Sequence, residues 1–324
     1  MAKELSKTMS TALAALEKRF GSKVVQKMTD TNTSVETISS GRPDLDVALG
    51  GGYAVGKIIE IFAESGCGKT GLALEVVREV QKEGGQVAYI DYEHALNPEY
   101  AEQVGVNVDE LLMSQPDDFE QGAEIIRTLI NTQEIDLIVV DSVAAMTPRA
   151  ELDGEAGETK MGLQARLMSQ MMRMIAGPAS TVGCTVIFIN QLRETITMYG
   201  PPTTTAGGKA LKFYATQRIE IKNKGQVKEG EKVIGFKQHI TVVKNKIAPP
   251  FKVVENDIVF GVGVDIITGL IDTLVFEEIV IKKGAWYSYK GSNLANGIAN
   301  LRVVLDDNPE LLQELQDELK KVKK

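Results

Sequence analysis

Apolar residues recur at steps of three and four through Leu5, Met9, Leu13, Leu16 and Phe20, and Gly21 follows where a C-terminal cap belongs. The spacing predicts an amphipathic helix. It packs on its own domain or, set off by the polar stretch Thr29-Asp30-Thr31-Asn32-Thr33-Ser34, docks on a neighbouring subunit. Further on, short β-branched runs alternate with helical periodicity. Ile58 to Phe62, Val87 to Ile90, Leu137 to Val140 and Thr185 to Ile189 read as strands buried on both faces. Leu72 to Lys82 and Phe119 to Thr132 read as helices between them, and Arg218 to Ile221 and His239 to Val243 as later strands. The pattern predicts an α/β fold, a mostly parallel sheet flanked by helices.

Two stretches carry no periodicity. Glu151 to Lys160 is rich in Gly and Glu, and Arg193 to Gly208 holds Pro201-Pro202, three consecutive threonines and Gly207-Gly208. Long structureless loops in a compact domain tend to be functional. After about Asp265 a smaller unit is expected, closing in a helix with Asn308 as N-cap, Pro309 at the first position and a stripe of Leu311, Leu312, Leu315 and Leu319. No internal repeat is evident.

A chain of 324 residues, at about 150 per domain, buries its core without staples. Two cysteines (Cys67, Cys184) and two histidines (His94, His239), none at a zinc-ligand spacing, make a disulfide or zinc framework unexpected and fit a reducing cytoplasm. The charged N-terminus gives no signal peptide, and Asp265 and Asp272 interrupt the most apolar stretch, Ile258 to Phe276, so no membrane association is expected. With 44 acidic residues against 36 basic ones, the net charge of −8 argues globally against coating a polyanion.

The strongest chemical signal is Ala63-Glu64-Ser65-Gly66-Cys67-Gly68-Lys69-Thr70, between a predicted strand and a predicted helix. That context suits a phosphate-binding loop, in which backbone N–H groups and a helix N-terminus hold the anion. Lys69 supplies charge to the β- and γ-phosphates and Thr70 a hydroxyl for Mg²⁺. Asp141 ends a buried strand at the ligand-binding edge, with Ser142 beside it, and suits the metal side of an ATP site. Glu93 and Asp91, at the same edge of another strand, are both placed to activate water. Gln191 starts the second loop and is placed to sense a γ-phosphate or, as a bland alternative, is a solvated strand-end residue.

Val35-Glu36-Thr37-Ile38-Ser39, Ala63 to Thr70, Ile90 to Leu96, Val139 to Ala145, Met161 to Arg166, Ile189-Asn190-Gln191 and Gly284 to Tyr289 together resemble the bacterial RecA recombinase family, from the N-terminal helix to about Asp306. The resemblance implies an ATP- and Mg²⁺-dependent helical filament on single-stranded DNA. Such a filament pairs its strand with homologous double-stranded DNA, in recombination, repair and the SOS response. It implies residues 1–33 as an oligomerisation helix and linker, 34–265 as a RecA-like P-loop ATPase core, and 266–324 as a small C-terminal α/β domain. It favours Glu93 over Asp91 as the water-activating base, adds Gly71, Asn97 and Tyr100 to the nucleotide site, and makes Gln191 the γ-phosphate sensor.

The two loops, at about 151–161 and 192–208, correspond to the family's DNA-binding loops. The first is acidic, so contact there would use the backbone of Gly154 and Gly157, with Met161, Arg166 and Arg173 nearby. The second offers Arg193, Gly207, Gly208, Lys209, Lys212 and an apolar wedge at Met198 and Tyr199. Lys244 and Lys246, two apart on a predicted strand and hence on one face, match residues that reach the neighbouring protomer's ATP. Phe213 matches a subunit-interface residue. Single-strand-binding and loading proteins and a LexA-like repressor are the partners implied. The family's acidic C-terminal tail has no counterpart in Lys320-Lys321-Val322-Lys323-Lys324, so regulation by such a tail is not expected. A ring-forming helicase would share the core but leaves the wedge and small domain unexplained. A DNA coat with vestigial hydrolysis is at odds with Lys69 and Glu93.

Overall fold

The computed structural model describes residues 6–21, 24–25, 35–155, 162–194 and 203–322. The chain divides into two compact units, Met1–Glu36 and Thr37–Lys324. In the first, helix α1 (Lys7–Phe20) is capped by Ser6, whose hydroxyl accepts the Met9 N–H, and ends at Gly21. None of its residues is buried, and Met9, Leu16 and Phe20 of the apolar stripe are exposed. Leu5 and the polar stretch Thr29 to Ser34 lie outside the described residues.

The second unit opens with β1 (Thr37–Ile38), α2 (Pro43–Leu49) and β2 (Tyr53–Ala54). Then β3 (Ile58–Ala63), α3 (Lys69–Lys82), β4 (Val87–Asp91), α4 (Pro98–Val104), β5 (Leu112–Ser114), α5 (Phe119–Thr132) and β6 (Leu137–Asp141) alternate as the periodicity predicts. Asp118 caps α5 by accepting the Gln121 N–H. A short α6 (Arg149–Leu152) precedes α7 (Leu163–Val182), β7 (Thr185–Glu194), β8 (Thr203–Thr205) and α8 (Ala210–Tyr214). The long strands β9 (Gln217–Glu229) and β10 (Lys232–Asn245) form a ribbon, followed by β11 (Val253–Val259) and β12 (Gly263–Val264). The chain closes with α9 (Ile266–Phe276), β13 (Ile281–Lys283), β14 (Trp286–Tyr289), β15 (Ser292–Asn296), α10 (Ile298–Asp306) and α11 (Pro309–Val322). Asn308 caps α11, its side chain accepting the Leu311 N–H.

The main sheet runs β12-β11-β10-β9-β3-β7-β6-β4-β5. From β9 to β5 every pair is parallel, and the β10–β12 side is antiparallel. Side chains alternate across the pleat. Ile59, Ile61, Tyr89, Val139 and Ile187 face α3, whereas Ile58, Ile90, Ile138, Val140 and Phe188 face α5 and α7. Both faces are covered, which is why these strands read as continuous apolar runs. A third core gathers Leu270, Ile271, Leu274, Tyr287, Leu301, Leu305, Leu315 and Leu319 beneath the three-stranded sheet β13–β15.

Three expectations need correction. The segment Arg193 to Gly208 is not structureless at its base. There, β7 and β8 pair as a hairpin, Leu192 opposite Thr205 and Glu194 opposite Thr203, because the three threonines suit a strand. Glu151 and Leu152 complete a helical turn begun at Arg149. Lys244 and Lys246 do not share a strand face: β10 stops at Asn245, with a register shift between Val242 and Lys244.

A candidate nucleotide site at the carboxyl edge of the sheet

Register brings the candidate residues to one edge. Ala63 of β3 lies opposite Gln191 of β7, and Asp91 of β4 opposite Asp141 of β6, whose other neighbour is Ile189 of β7. Ligands of open parallel sheets bind beyond this edge. Ala63 is fully buried and packs into the core above α3, so its methyl group is accommodated. The loop then exposes Glu64, Ser65 and Gly66 and re-enters at Cys67. Gly66 (φ 73°) and Gly68 (φ 82°) adopt left-handed conformations that favour glycine.

The Lys69 ammonium spans the loop to donate to the Glu64 carbonyl at 2.8 Å. Burial lowers its pKa, opposed by Cys67, Asp141 and Glu93. The Asp141 oxygen Oδ2 accepts from the Thr70 hydroxyl at 2.9 Å and from Tyr89 Oη at 2.7 Å. Burial raises the Asp141 pKa despite those two bonds, and nearby Glu93 and Asp91 push the same way. Oxygen donors carrying excess negative charge fit a hard divalent cation such as Mg²⁺.

Asp91 and Glu93 have different surroundings. Asp91 is buried, and its carboxylate accepts the N–H groups of Glu93, Ala95 and Leu96 and an amide hydrogen of Gln115. Its oxygens are occupied in shaping the loop. Glu93 is exposed, with Oε1 accepting from Ser142 Oγ and from Gln191 Nε2, the latter at 2.8 Å. Gln191 immediately precedes the β7–β8 hairpin pairs. Asn190 ties that hairpin back, donating to Glu60 at 2.9 Å and to the Ala206 carbonyl at 3.0 Å.

Beside the phosphate loop lies a cavity of about 380 Å³, lined by Gly66, Gly68, Gly71, Tyr100, Phe236 and Phe260 among others. An added Cβ at Gly71 would stand 2.6 Å from the Tyr100 hydroxyl, so the ring would have to shift to admit one. Asn97 is not part of the lining; it is the N-cap of α4, accepting the Tyr100 N–H. Sequence reading missed Tyr89, which counts as one more apolar strand residue. It also missed Phe236 of β10 and Phe260 in the turn after β11, distant in the chain.

Arg166 and Arg173 are exposed on α7, and Arg193 is exposed at the hairpin base, donating to the Ala144 carbonyl at 3.3 Å. Gly207 and Gly208, both at positive φ, pack so closely on Val143 and Ala165 that a Cβ would meet them at 2.9 and 2.7 Å. Met161, Met198 and Tyr199 lie outside the described residues. Phe213 of α8 is 70% exposed. Lys244 donates to the carbonyls of Lys212 and Phe213 at the end of α8, and burial, then Lys246, lowers its pKa. It pairs with Arg218, itself opposite Glu60 of β3, while Lys246 bonds Thr216. That is three or more residues, about 10 Å or more, back along β3 from the loop. The two lysines are therefore not brought to this chain's own phosphate loop.

Residues 7–265 match the RecA N-terminal domain family and residues 268–324 the RecA C-terminal domain family. The chain belongs to the RecA family. It is 48% identical over 323 residues to Protein RecA of Staphylococcus carnosus (strain TM300), covering 99% of this chain and 91% of that one. Protein RecA of Clostridium beijerinckii (strain ATCC 51743 / NCIMB 8052) is also 48% identical, covering 98% and 89%. Among solved structures, that of the RadB recombinase aligns with TM-score 0.55 and 25% identity over 70% of this chain and 98% of that one. This RecA-family chain is accordingly a DNA-dependent ATPase and recombinase of DNA recombination and repair that binds DNA and forms filaments. The global argument from net charge against nucleic acid is thereby overturned. Among the described residues, no helix is long and apolar enough to cross a membrane.

Proposed function

We propose that the carboxyl-edge cluster is the ATPase centre of this recombinase, with Mg²⁺ as its metal. The observation that carries the reading is the convergence of Thr70, Asp141, Glu93 and Gln191 on one edge, bonded in the pairs Thr70–Asp141 and Gln191–Glu93. Backbone N–H groups from Glu64 to Gly71 hold the phosphates and Lys69 neutralises them. Thr70 and Asp141 would hold the cation, with Ser142 alongside; Mg²⁺ supplies charge neutralisation of the phosphates. Glu93 orients the attacking water and takes its proton. Asp91 is unsuited because its oxygens already accept four N–H donors. Tyr100 and Phe260 flank the base in the adjoining cavity. Asn97 serves by capping the helix that carries Tyr100.

Gln191 couples nucleotide state to the hairpin leading to the second DNA-binding loop. Arg166, Arg173, Arg193, Gly207 and Gly208 form the described part of the DNA face, and Met161, Met198 and Tyr199 its remainder. Lys244 and Lys246, remote along the strand from their own phosphate loop, act on the nucleotide of the next protomer beside exposed Phe213. In this reading residues 1–33 join protomers, 34–265 form the ATPase core and 266–324 a small accessory domain. The protein works in the cytoplasm with single-stranded DNA, homologous duplex and single-strand-binding, loading and repressor partners.

Glu93→Gln tests the centre. ATP-dependent filaments on single-stranded DNA should persist by electron microscopy while phosphate release stops; ordinary turnover would move the base elsewhere.

A further inference from the structure

Beneath the phosphate loop lies a buried polar group that the ATPase centre does not use. Gln238 of β10 is 1% exposed and joins two partners far apart in sequence. Its Oε1 accepts from Arg42 Nη1 at 2.7 Å, and its Nε2 donates to the Cys67 carbonyl at 2.7 Å. The orientation of this amide is fixed by chemistry. Arg42 has only donors, so it takes the oxygen and leaves the NH₂ group for the loop. Arg42, 2% exposed, is itself locked by a two-pronged pair with Glu75 of α3, at 2.6 and 2.9 Å. Its Nη1 also reaches Asn256 Oδ1 of β11 at 3.2 Å.

The Cys67 carbonyl and the Gly68 N–H belong to one planar trans peptide and point in opposite directions. Drawing the carbonyl onto Gln238 therefore turns the Gly68 N–H away from the protein interior. That is the direction in which a phosphate loop needs its donors. Left alone, a carbonyl oxygen free to swing into the loop would face a phosphate oxygen and repel it. The fit is close: a Cβ on Gly68 would lie 2.7 Å from Gln238 Nε2.

We infer that Gln238 is a positioning residue for the nucleotide, holding the Cys67–Gly68 peptide with its N–H toward the phosphates, and that Arg42 sets the direction of the Gln238 amide. Gln238 also lines the cavity assigned to the base, and the role inferred here is the one it exerts through the Cys67 carbonyl. The inference rests on the phosphate-loop reading above.

Two substitutions separate positioning from packing. Gln238→Glu keeps the acceptor for Arg42 but sets a carboxylate oxygen against the Cys67 carbonyl. Gln238→Met keeps the approximate volume and neutrality but removes both the donor to the Cys67 carbonyl and the acceptor for Arg42, which keeps Glu75 and Asn256. The full-length chain is assayed for mant-ADP affinity, for KM and kcat of DNA-stimulated ATP hydrolysis, and for Tm without nucleotide. Gln238→Glu should weaken mant-ADP by about tenfold or more and Gln238→Met by about threefold or more. KM should rise with them, and kcat at saturating ATP should change far less. The Tm of Gln238→Glu should stay within about 4 °C of the parent, since Arg42 keeps an acceptor.

Unchanged mant-ADP affinity in either folded variant overturns the inference, most directly if Tm falls, because Gln238 then only packs. Should neither variant fold, the unaltered ¹⁵N-labelled chain decides: the Gln238 side-chain amide resonance should shift on adding ADP, and a fixed resonance overturns the inference. Lys69→Ala is the control. If it keeps mant-ADP affinity, the phosphate-loop reading itself fails; if it loses affinity while the Gln238 variants bind normally, only the present inference fails.

Discussion

Replacing Gln191 with Met tests how DNA reaches the hydrolytic centre. The substitution keeps length and apolar volume but deletes the donor that Glu93 Oε1 accepts at 2.8 Å. A hydrogen bond to a charged group contributes about 1.5–3 kcal/mol, and the half-exposed setting puts this one at the lower end. About 1.5 kcal/mol corresponds to roughly a tenfold change in rate. Gln191 adjoins Leu192, the first residue of the hairpin pairing, so in the proposed coupling the ordering of the hairpin by DNA would be transmitted to Glu93 through this contact. The assay is phosphate release at saturating ATP, with and without single-stranded DNA. Turnover with DNA should fall about tenfold and turnover without DNA should barely change, while KM for ATP stays within about twofold. Gln191→Glu, which sets a second carboxylate beside Glu93, should lose stimulation at least as fully. Undiminished stimulation in either variant refutes the coupling.

Two further substitutions test the metal side and the assembly face. Burial raises the Asp141 pKa above the ordinary aspartate value, so the folded state holds that proton more tightly than the unfolded chain does. The stability this group contributes is fully present below the unfolded pKa and is lost as pH rises through the folded one. Asp141→Asn, which keeps an oxygen for Tyr89 and Thr70, should therefore raise the nucleotide-free Tm at neutral pH and lose that advantage near about pH 3. It should also abolish Mg²⁺-dependent turnover, and a lower Tm at neutral pH contradicts the assigned sign. Phe213→Asp places a charge on a side chain that is 70% exposed, so the isolated chain should keep its Tm within about 2 °C while filament assembly is lost by sedimentation; intact filaments would remove Phe213 from the interface.

The sheet edge was legible because burial leaves a strong trace. Strands covered on both faces by helices must be apolar throughout, so the breaks in those runs fall where the strands end. Asp91 and Asp141 stand at such ends, and the register sets them side by side; Gln191 ends the apolar run of β7 opposite Ala63, although the strand itself continues to Glu194. The choice between Asp91 and Glu93 was not legible from position, since both follow one strand. What distinguishes them is three-dimensional: backbone N–H groups fold back onto Asp91 and leave Glu93 exposed. Tyr89 was hidden because its ring obeys the apolar pattern and only its hydroxyl reaches Asp141. The long β9–β10 ribbon was read only at its buried ends, because beyond them polar residues face water on both sides. Arg42, Glu75 and Gln238 come from three distant elements, and nothing local in the sequence marks them as one network.

Net charge misled for a related physical reason. A total of −8 describes the far field, and at physiological ionic strength that field is screened within about 8 Å. Binding a polyanion is decided inside that distance, by which side chains the fold sets against the backbone. Several surface acids are paired locally, Glu124 with Arg127 and Glu314 with Lys290. Arg166 and Arg173 stand exposed on one helix, and Arg193 is exposed at the base of the hairpin. In a filament every protomer repeats the same surface along the strand. Any phosphate contact that these arginines make in one copy is thereby multiplied along the filament. An acidic total and a polyanionic ligand are compatible because the sum of the charges does not fix which of them the fold sets against the strand.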